Sequence, residues 1–290
     1  MSDEIFIGDR SYSSWSLRGW LMYHAFGIDH RFKMVGLYSG TMQDDLAPLG
    51  IARTVPAVRT DAGIVLTDTM SIAETLAERH PGAGLWPADP AARATARNLV
   101  AEMHSGFTAL RGDCPMNIRT SWVGFAPSDA VQRDLARIEQ LWAYARENFG
   151  GHGPWLFGAY SLADAFYAPV AARFAGYGLP VSEAAAEYVA AHLAHPSFRR
   201  WRALALTETI EPAQYQLGLA TRDWPGPVPL SARAVDGTDS ENTACPYSGD
   251  PVTHVMELDG RRFGFCNAHC RAKTINDPEA FPEFMTIYHS

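Results

Sequence analysis

The sequence predicts an α/β domain, then an all-helical domain, then a small cysteine-bearing tail. Three observations carry that expectation. Short β-type runs alternate with helical spacing over residues 1–84, strand signals vanish over 85–222, and a Pro- and Gly-rich stretch at 223–243 precedes three crowded cysteines at 244–290.

Residues 4–7 form a short apolar run that reads as a strand, and 16–26 follow with Leu17, Trp20, Leu21 and Ala25 at helical spacing. Gly27 ends that helix. Residues 31–35 read as a second strand with Phe32 and Met34 on one face, so the opening is a right-handed parallel crossover. Residues 42–50 are polar and irregular. Residues 57–60 and 64–66 are two short strands joined by Asp61-Ala62-Gly63, a hairpin signal, with Pro56 at the entry where a missing N–H costs least. A helix over 69–80 carries Ile72, Ala73 and Leu76 and stops at Pro81-Gly82. This βαβ then ββα order is that of a thioredoxin-like domain.

Helical spacing then predicts 91–110, 129–148, 161–174 and 183–194, with 196–206 completing a bundle. Ser161-Leu162-Ala163-Asp164 places a hydroxyl three residues before a carboxylate, a reciprocal capping signal and a folding feature. Residues 223–243 hold Pro225, Pro227, Pro229, Gly226 and Gly237 and read as a linker.

Composition narrows the function. The 290 residues carry 24 Lys and Arg against 32 Asp and Glu, a net charge of -8, which disfavours nucleic acid and anionic membrane and leaves small-molecule chemistry. No apolar run approaches a membrane span, and the acidic start Met1-Ser2-Asp3-Glu4 predicts a cytoplasmic protein. No cysteine precedes Cys114, so dithiol exchange in the first domain is disfavoured, and Cys114 beside Pro115 reads as a packed small residue.

Two helix starts carry candidate chemistry. Ser13-Ser14-Trp15-Ser16 opens the first helix, and Asp68-Thr69 opens the helix after Thr54-Val55-Pro56. Hydroxyls and helix N-termini suit a ligand with a carboxylate at each end and a thiol in the middle.

These segments, with Thr67-Asp68-Thr69-Met70-Ser71-Ile72-Ala73-Glu74 and Phe157-Gly158-Ala159-Tyr160-Ser161-Leu162-Ala163-Asp164-Ala165, resemble the glutathione transferase superfamily over the first three-quarters of the chain. The double serine is similar to the serine-type, zeta-like branch. The resemblance implies an all-α glutathione transferase C-terminal domain, a cis Pro56, and Ser13 as the catalytic hydroxyl with Ser14 helping to hold glutathione; either serine, with Tyr12 next, is a candidate activator. It also implies that Val55 pairs with the glutathione backbone and that Asp68 and Thr69 hold its γ-glutamyl end. The expected activity is conjugation or isomerisation of a small electrophile by a homodimer. The alternative is a non-catalytic glutathione-binding redox or metal sensor. Met103, His104, Phe107 and Arg111 are the candidates for the electrophile's pocket, with Met103 and Phe107 offering an apolar wall at i, i+4.

In the tail, Cys245 is followed by Cys266 and then by Cys270 one helical turn on, a sulfur set that suits zinc. Cys245-Pro246-Tyr247-Ser248-Gly249 and Cys266-Asn267-Ala268-His269-Cys270 resemble the knuckles of small metal-binding TRASH and YHS modules, which implies a zinc-finger-like fold. Ser248 stands where a second knuckle cysteine is expected, leaving the fourth ligand open among His254, His269, water or a partner. Phe263, Phe265, Phe281 and Phe284 are its expected core.

Overall fold

The computed structural model describes residues 2–290. They form two compact units, one running to Leu193 and resuming at Ile210–Pro225, the other comprising Ala194–Thr209 and Gly226–Ser290. In chain order the elements are β1 (Asp3–Ile7), α1 (Ser14–His24), β2 (His30–Met34), α2 (Met42–Leu46), β3 (Ala57–Arg59), β4 (Val65–Leu66), α3 (Thr69–Arg79), α4 (Pro90–Ser105), α5 (Thr108–Asp113), β5 (Ser121–Trp122), α6 (Asp129–Phe149), α7 (Leu162–Tyr177), α8 (Glu183–Ala194), α9 (Pro196–Ala205), β6 (Thr221–Arg222), β7 (Ala232–Val235), β8 (His254–Leu258), β9 (Arg261–Phe265), α10 (Ala268–Asn276) and α11 (Pro282–Tyr288).

The first sheet has the order β2-β1-β3-β4, with β1 and β2 parallel and the other pairs antiparallel, which is the thioredoxin-like arrangement. Ile5, Phe6 and Ile7 are buried at its centre, while β2 is an edge strand whose Phe32 is exposed beneath the Arg10 guanidinium, 4.9 Å from the ring centroid. The stretch 42–50, expected to be irregular, contains α2. Its aspartate Asp45 accepts from the Gly36 N–H at 3.0 Å and the Thr41 hydroxyl at 2.8 Å, and Leu46 and Leu49 bury against Phe6. Polar composition hid this turn because its apolar residues are too few to set a period.

Gly19 explains how the chain brings two distant segments together. A Cβ there would lie 2.7 Å from Pro56 Cγ, so only glycine lets the Val55-Pro56 loop pack on the middle of α1. That peptide bond is cis, as the resemblance implies.

The helix expected over 91–110 is two. α4 ends at Ser105, Phe107 takes a left-handed conformation at φ 54°, and α5 restarts at Thr108. The break is held by the Leu110 N–H, which donates to the Asp134 carboxylate at 2.9 Å. Composition gives no warning of it, because apolar spacing continues through the bend.

Every residue of α7 is buried, and its start has the reciprocal cap read from Ser161 and Asp164. Asp164 accepts from the N–H groups of Ser161 (2.8 Å) and Leu156 (3.2 Å) and from the hydroxyls of Ser161 (3.0 Å) and Tyr188 (2.8 Å). Burial pushes this carboxyl up to about 6, against the pull of those donors.

In the second unit β7, β8 and β9 form an antiparallel sheet. Two expectations change here. The stretch 223–243, read as a linker, contains β7, which pairs with β8 and is held by Arg233 reaching Glu257 across the strands at 2.6 Å. Helix α9, expected in the helical bundle, belongs with the tail: Ala203 and Leu204 join a core of Phe263, Phe265, Phe281 and Phe284, and Arg199 grips both oxygens of Asp277 at 2.8 and 2.7 Å.

Replacing Asp164 with alanine strands four buried donors, each costing on the order of 1–3 kcal/mol. Asp164→Ala is therefore expected to lose about 3 kcal/mol or more in urea unfolding, while Asp164→Asn, which keeps an acceptor, loses less.

Candidate functional site

The first turn of α1 separates its two serines chemically. Ser13 is the N-cap: its Oγ accepts from the Ser16 N–H at 3.3 Å and donates to the Ser16 Oγ at 2.8 Å, and that oxygen also accepts from the Gly8 N–H at 2.9 Å. Its proton is committed. Ser14, the first helical residue, is half-buried, and its hydroxyl has no hydrogen-bond partner among the described residues. Both serines border a cleft of about 390 Å³ that Val55, Tyr38, Arg111, Arg173 and Tyr215 also line.

A neighbouring cavity of about 190 Å³ is lined by Trp15, Thr54, Val55, Pro56, Thr67, Asp68, Thr69 and His104. Trp15, Thr54 and Val55 face both spaces. The residues expected to hold glutathione, Ser14, Val55, Asp68 and Thr69, thus border two adjoining hollows. Asp68 caps α3 through the N–H groups of Met70 at 2.8 Å and Ser71 at 3.4 Å.

His104 and Arg111 part company. His104 Nε2 lies 3.2 Å from the Asp68 carboxylate and its Nδ1 lies 3.3 Å from the Thr69 hydroxyl, so the imidazole belongs with the start of α3. Arg111 faces the larger cleft, donates to the His104 and Gly106 carbonyls at 3.5 and 3.3 Å, and stacks 5.1 Å from the Trp15 centroid. Met103 and Phe107 are buried in the core and border neither space, because the break after α4 turns Phe107 inward.

Sequence reading missed three groups. Arg18 is fully buried, donates to the Phe166 carbonyl at 2.8 Å and the Ser14 carbonyl at 3.3 Å, and leaves Nη2 unpaired. Burial, reinforced by Arg173 and Arg111, pulls its guanidinium well below the usual range. Arg173 donates to the Cys114 and Pro169 carbonyls, and burial pulls it down to about 10. None of the guanidiniums of Arg18, Arg111 and Arg173 is paired with a carboxylate among the described residues. The third group is aromatic: Tyr215 stacks on Tyr12 at 4.4 Å and shares a 2.6 Å hydroxyl contact with Tyr38. Arg18 and Arg173 stand among apolar helical residues, a signal that could have found them; Tyr215, on an irregular segment, had no local signal.

In the second unit the sulfurs of Cys245, Cys266 and Cys270 lie within 4.8 Å of one another. Burial pushes the Cys245 thiol up, but backbone N–H groups of Cys266, Tyr247 and Ser248 outweigh it and bring the thiol to about 7. Cys270 is pushed up to about 12 by burial and by Cys245. Three soft donors converging beside a turn of N–H groups fit a thiophilic cation.

A family model described as the glutathione S-transferase N-terminal domain matches residues 12–79, the segment carrying both helix starts. The chain is also 31% identical over 157 residues to the maleylacetoacetate isomerase of Pseudomonas aeruginosa, a match covering 50% of this chain and 69% of that one. The chain belongs to the glutathione S-transferase superfamily. A probable maleylacetoacetate isomerase of Caenorhabditis elegans is 36% identical over 101 residues, 35% of this chain, so the match spans about half, 46%, of that relative's length. The crystal structure of a glutathione transferase homologue from Burkholderia GL BGR1 with bound glutathione aligns at TM-score 0.54 and 25% identity, covering 72% of this chain and all (100%) of that one. A glutathione transferase Omega 3C from Trametes versicolor shares the fold at TM-score 0.51 and 20% identity, over 73% of this chain and 91% of that one.

Cysteine accessibility is directly testable. Cys114 is buried and burial pushes its thiol up to about 12, whereas Cys266 and Cys270 are half-buried. Iodoacetamide on the native, chelator-treated protein at pH 7.5, read by peptide mass spectrometry, is expected to label Cys266 and to spare Cys114 until denaturant is added.

Proposed function

We propose that this chain is a glutathione transferase in which the Ser14 hydroxyl activates the glutathione thiol for attack on a small electrophile, or for addition to and departure from an unsaturated acid. The observation that carries the reading is the division of labour between adjacent serines: Ser13 caps the helix as an acceptor and donates its proton to the Ser16 hydroxyl, and Ser14 keeps a free donor at the positive end of α1. A free thiol titrates near ~8.5, so each unit of depression raises the thiolate fraction up to about tenfold at neutral pH. A hydroxyl donating to sulfur at a helix N-terminus favours the anion without an ionised base.

Val55, through its backbone, and Asp68 with Thr69 hold the tripeptide, with its γ-glutamyl end in the smaller cavity. His104 then positions Asp68 and Thr69 and does not meet the electrophile. The electrophile lies in the larger cleft against Tyr38 and Tyr215. Buried cations without counter-charges are costly, and an anionic ligand relieves that cost. Arg111 and Arg173 therefore favour an electrophile bearing a carboxylate. Cys245, Cys266 and Cys270 hold zinc in the second unit, where the ion would tie its knuckles together. The protein works in the cytoplasm as a homodimer, a reading supported by the superfamily resemblance; no helix among the described residues is long and apolar enough to cross a membrane.

Two experiments test the reading. Ser14→Ala is expected to lower kcat/KM toward a generic electrophile about 10- to 100-fold and to raise the pKa of bound glutathione, measured by thiolate absorbance. Ser13→Ala is expected instead to destabilise the fold by about 1 kcal/mol through loss of a cap. Full activity in Ser14→Ala overturns the assignment. Separately, Arg111→Gln should raise KM for a carboxylate-bearing electrophile about tenfold and leave its methyl ester unaffected; equal effects on both would remove the anion preference.

A further inference from the structure

Zinc at a closed site takes four donors, and the tail supplies three thiols. Neither His254 nor His269 joins the three sulfurs in the 4.8 Å cluster of ligand atoms. Among the described residues, the cluster of potential ligand atoms contains only the three cysteine sulfurs, and His254 Nδ1 is engaged with the Thr253 hydroxyl at 2.9 Å. We infer that Ser248 Oγ occupies the fourth corner, so that the site is three thiolates closed by an alcohol. This rests on the reading that the cysteines hold zinc.

Position is the first argument. Ser248 stands three residues after Cys245, the spacing at which a Cys-x-x-Cys knuckle presents its second ligand. The turn between them is built as such a knuckle. The Gly249 N–H donates to the Cys245 carbonyl at 2.9 Å, the Cys245 N–H donates to the Asp250 carbonyl at 2.9 Å, and Gly249 takes φ 75°, a conformation that favours glycine. Backbone N–H groups of Tyr247 and Ser248 meanwhile point at the Cys245 sulfur.

Distance is the second. With Zn–S near 2.3 Å and Zn–O near 2.0 Å, tetrahedral geometry sets sulfur–sulfur edges of about 3.8 Å and sulfur–oxygen edges of about 3.5 Å. The Cys266 and Cys270 sulfurs lie 3.9 Å apart, and Ser248 Oγ lies 3.5 Å from Cys266 Sγ. The hydroxyl's distance to the Cys266 sulfur matches that edge, and its oxygen also accepts from the Asp250 N–H at 3.3 Å. Asn267 Nδ2 donates to the Cys266 sulfur at 3.2 Å and orients it from outside the donor set.

Charge is the third. Three thiolates and a neutral alcohol leave a zinc site at one net negative charge. Lys273, half-buried, sits 3.4 Å over the Tyr247 ring, and its charge acts on Cys270 and Cys245. A cation fixed beside the cluster suits a three-thiolate set. A neutral oxygen also binds zinc less firmly than thiolate, so this corner is where the ion exchanges or admits an outside donor.

Cobalt(II) titration of the full chain tests the assignment, because sulfur-to-metal charge-transfer absorbance scales with the number of thiolates. Ser248→Cys is expected to raise that band by about one third, from three sulfurs to four, and to tighten zinc binding at least tenfold in chelator competition. Ser248→Ala should keep the band and weaken binding several-fold. An unchanged spectrum and affinity in Ser248→Cys, with the unmodified chain binding cobalt, overturns the role of Ser248 alone. Failure of the unmodified chain to bind cobalt or zinc overturns the cysteine site itself.

Discussion

A helix that starts in a protein interior has N–H groups with no partner in the helix, and the way α1 satisfies them decides the chemistry around it. Ser13 leaves the helix path and turns its oxygen back to the Ser16 N–H, while Ser16 ties this cap to β1 through Gly8. The arrangement fixes where Ser14 must stand. Because Gly19 admits Pro56 onto the same helix, the backbone of Val55 is held to that turn as well. A single helix thus registers two pieces of the proposed glutathione site that lie about forty residues apart in the chain.

The cleft beyond that turn is unusual in its charge. Guanidiniums normally enter a protein interior with a carboxylate, yet Arg18 and Arg173 are held by carbonyl oxygens, and Arg18 leaves one nitrogen unpaired. Carbonyl dipoles satisfy geometry without cancelling charge. The residual field favours anions, which is the basis of the proposed preference for a carboxylate-bearing electrophile. Trp15, against which both Arg18 and Arg111 stack, keeps these cations oriented without neutralising them.

Much of this was legible in residues 1–84, where most elements carry their own turn or cap signal, such as Gly27, the Asp61-Ala62-Gly63 turn, and Asp68 at the start of α3; α2, with too few apolar residues to set a period, carries none. Legibility failed wherever the deciding interaction was distant in sequence. The break at Gly106 and Phe107 depends on Asp134, the arginine cluster on carbonyls of α7 and its neighbours, and Tyr215 on a segment that returns to the first unit after leaving it. His104 shows the same limit on a smaller scale. Its place on a helix facing the cleft was readable, but only the packing of α4 beside the start of α3 sets it between Asp68 and Thr69.

The core shared by α9 and the cysteine-bearing sheet makes the tail more than an appendage. Phe281 and Phe284 bury against a cluster that includes Leu204, and Arg199 and Arg200 of α9 reach Asp277, Glu279 and Glu283. Excision at the Pro-rich stretch would strip α9 of its hydrophobic cover and leave two basic side chains without acceptors. Helix α9 and the cysteine-bearing sheet belong to one compact unit, so loss of the knuckles would be felt upstream in the chain, at α9 residues that a domain map drawn from composition assigns elsewhere.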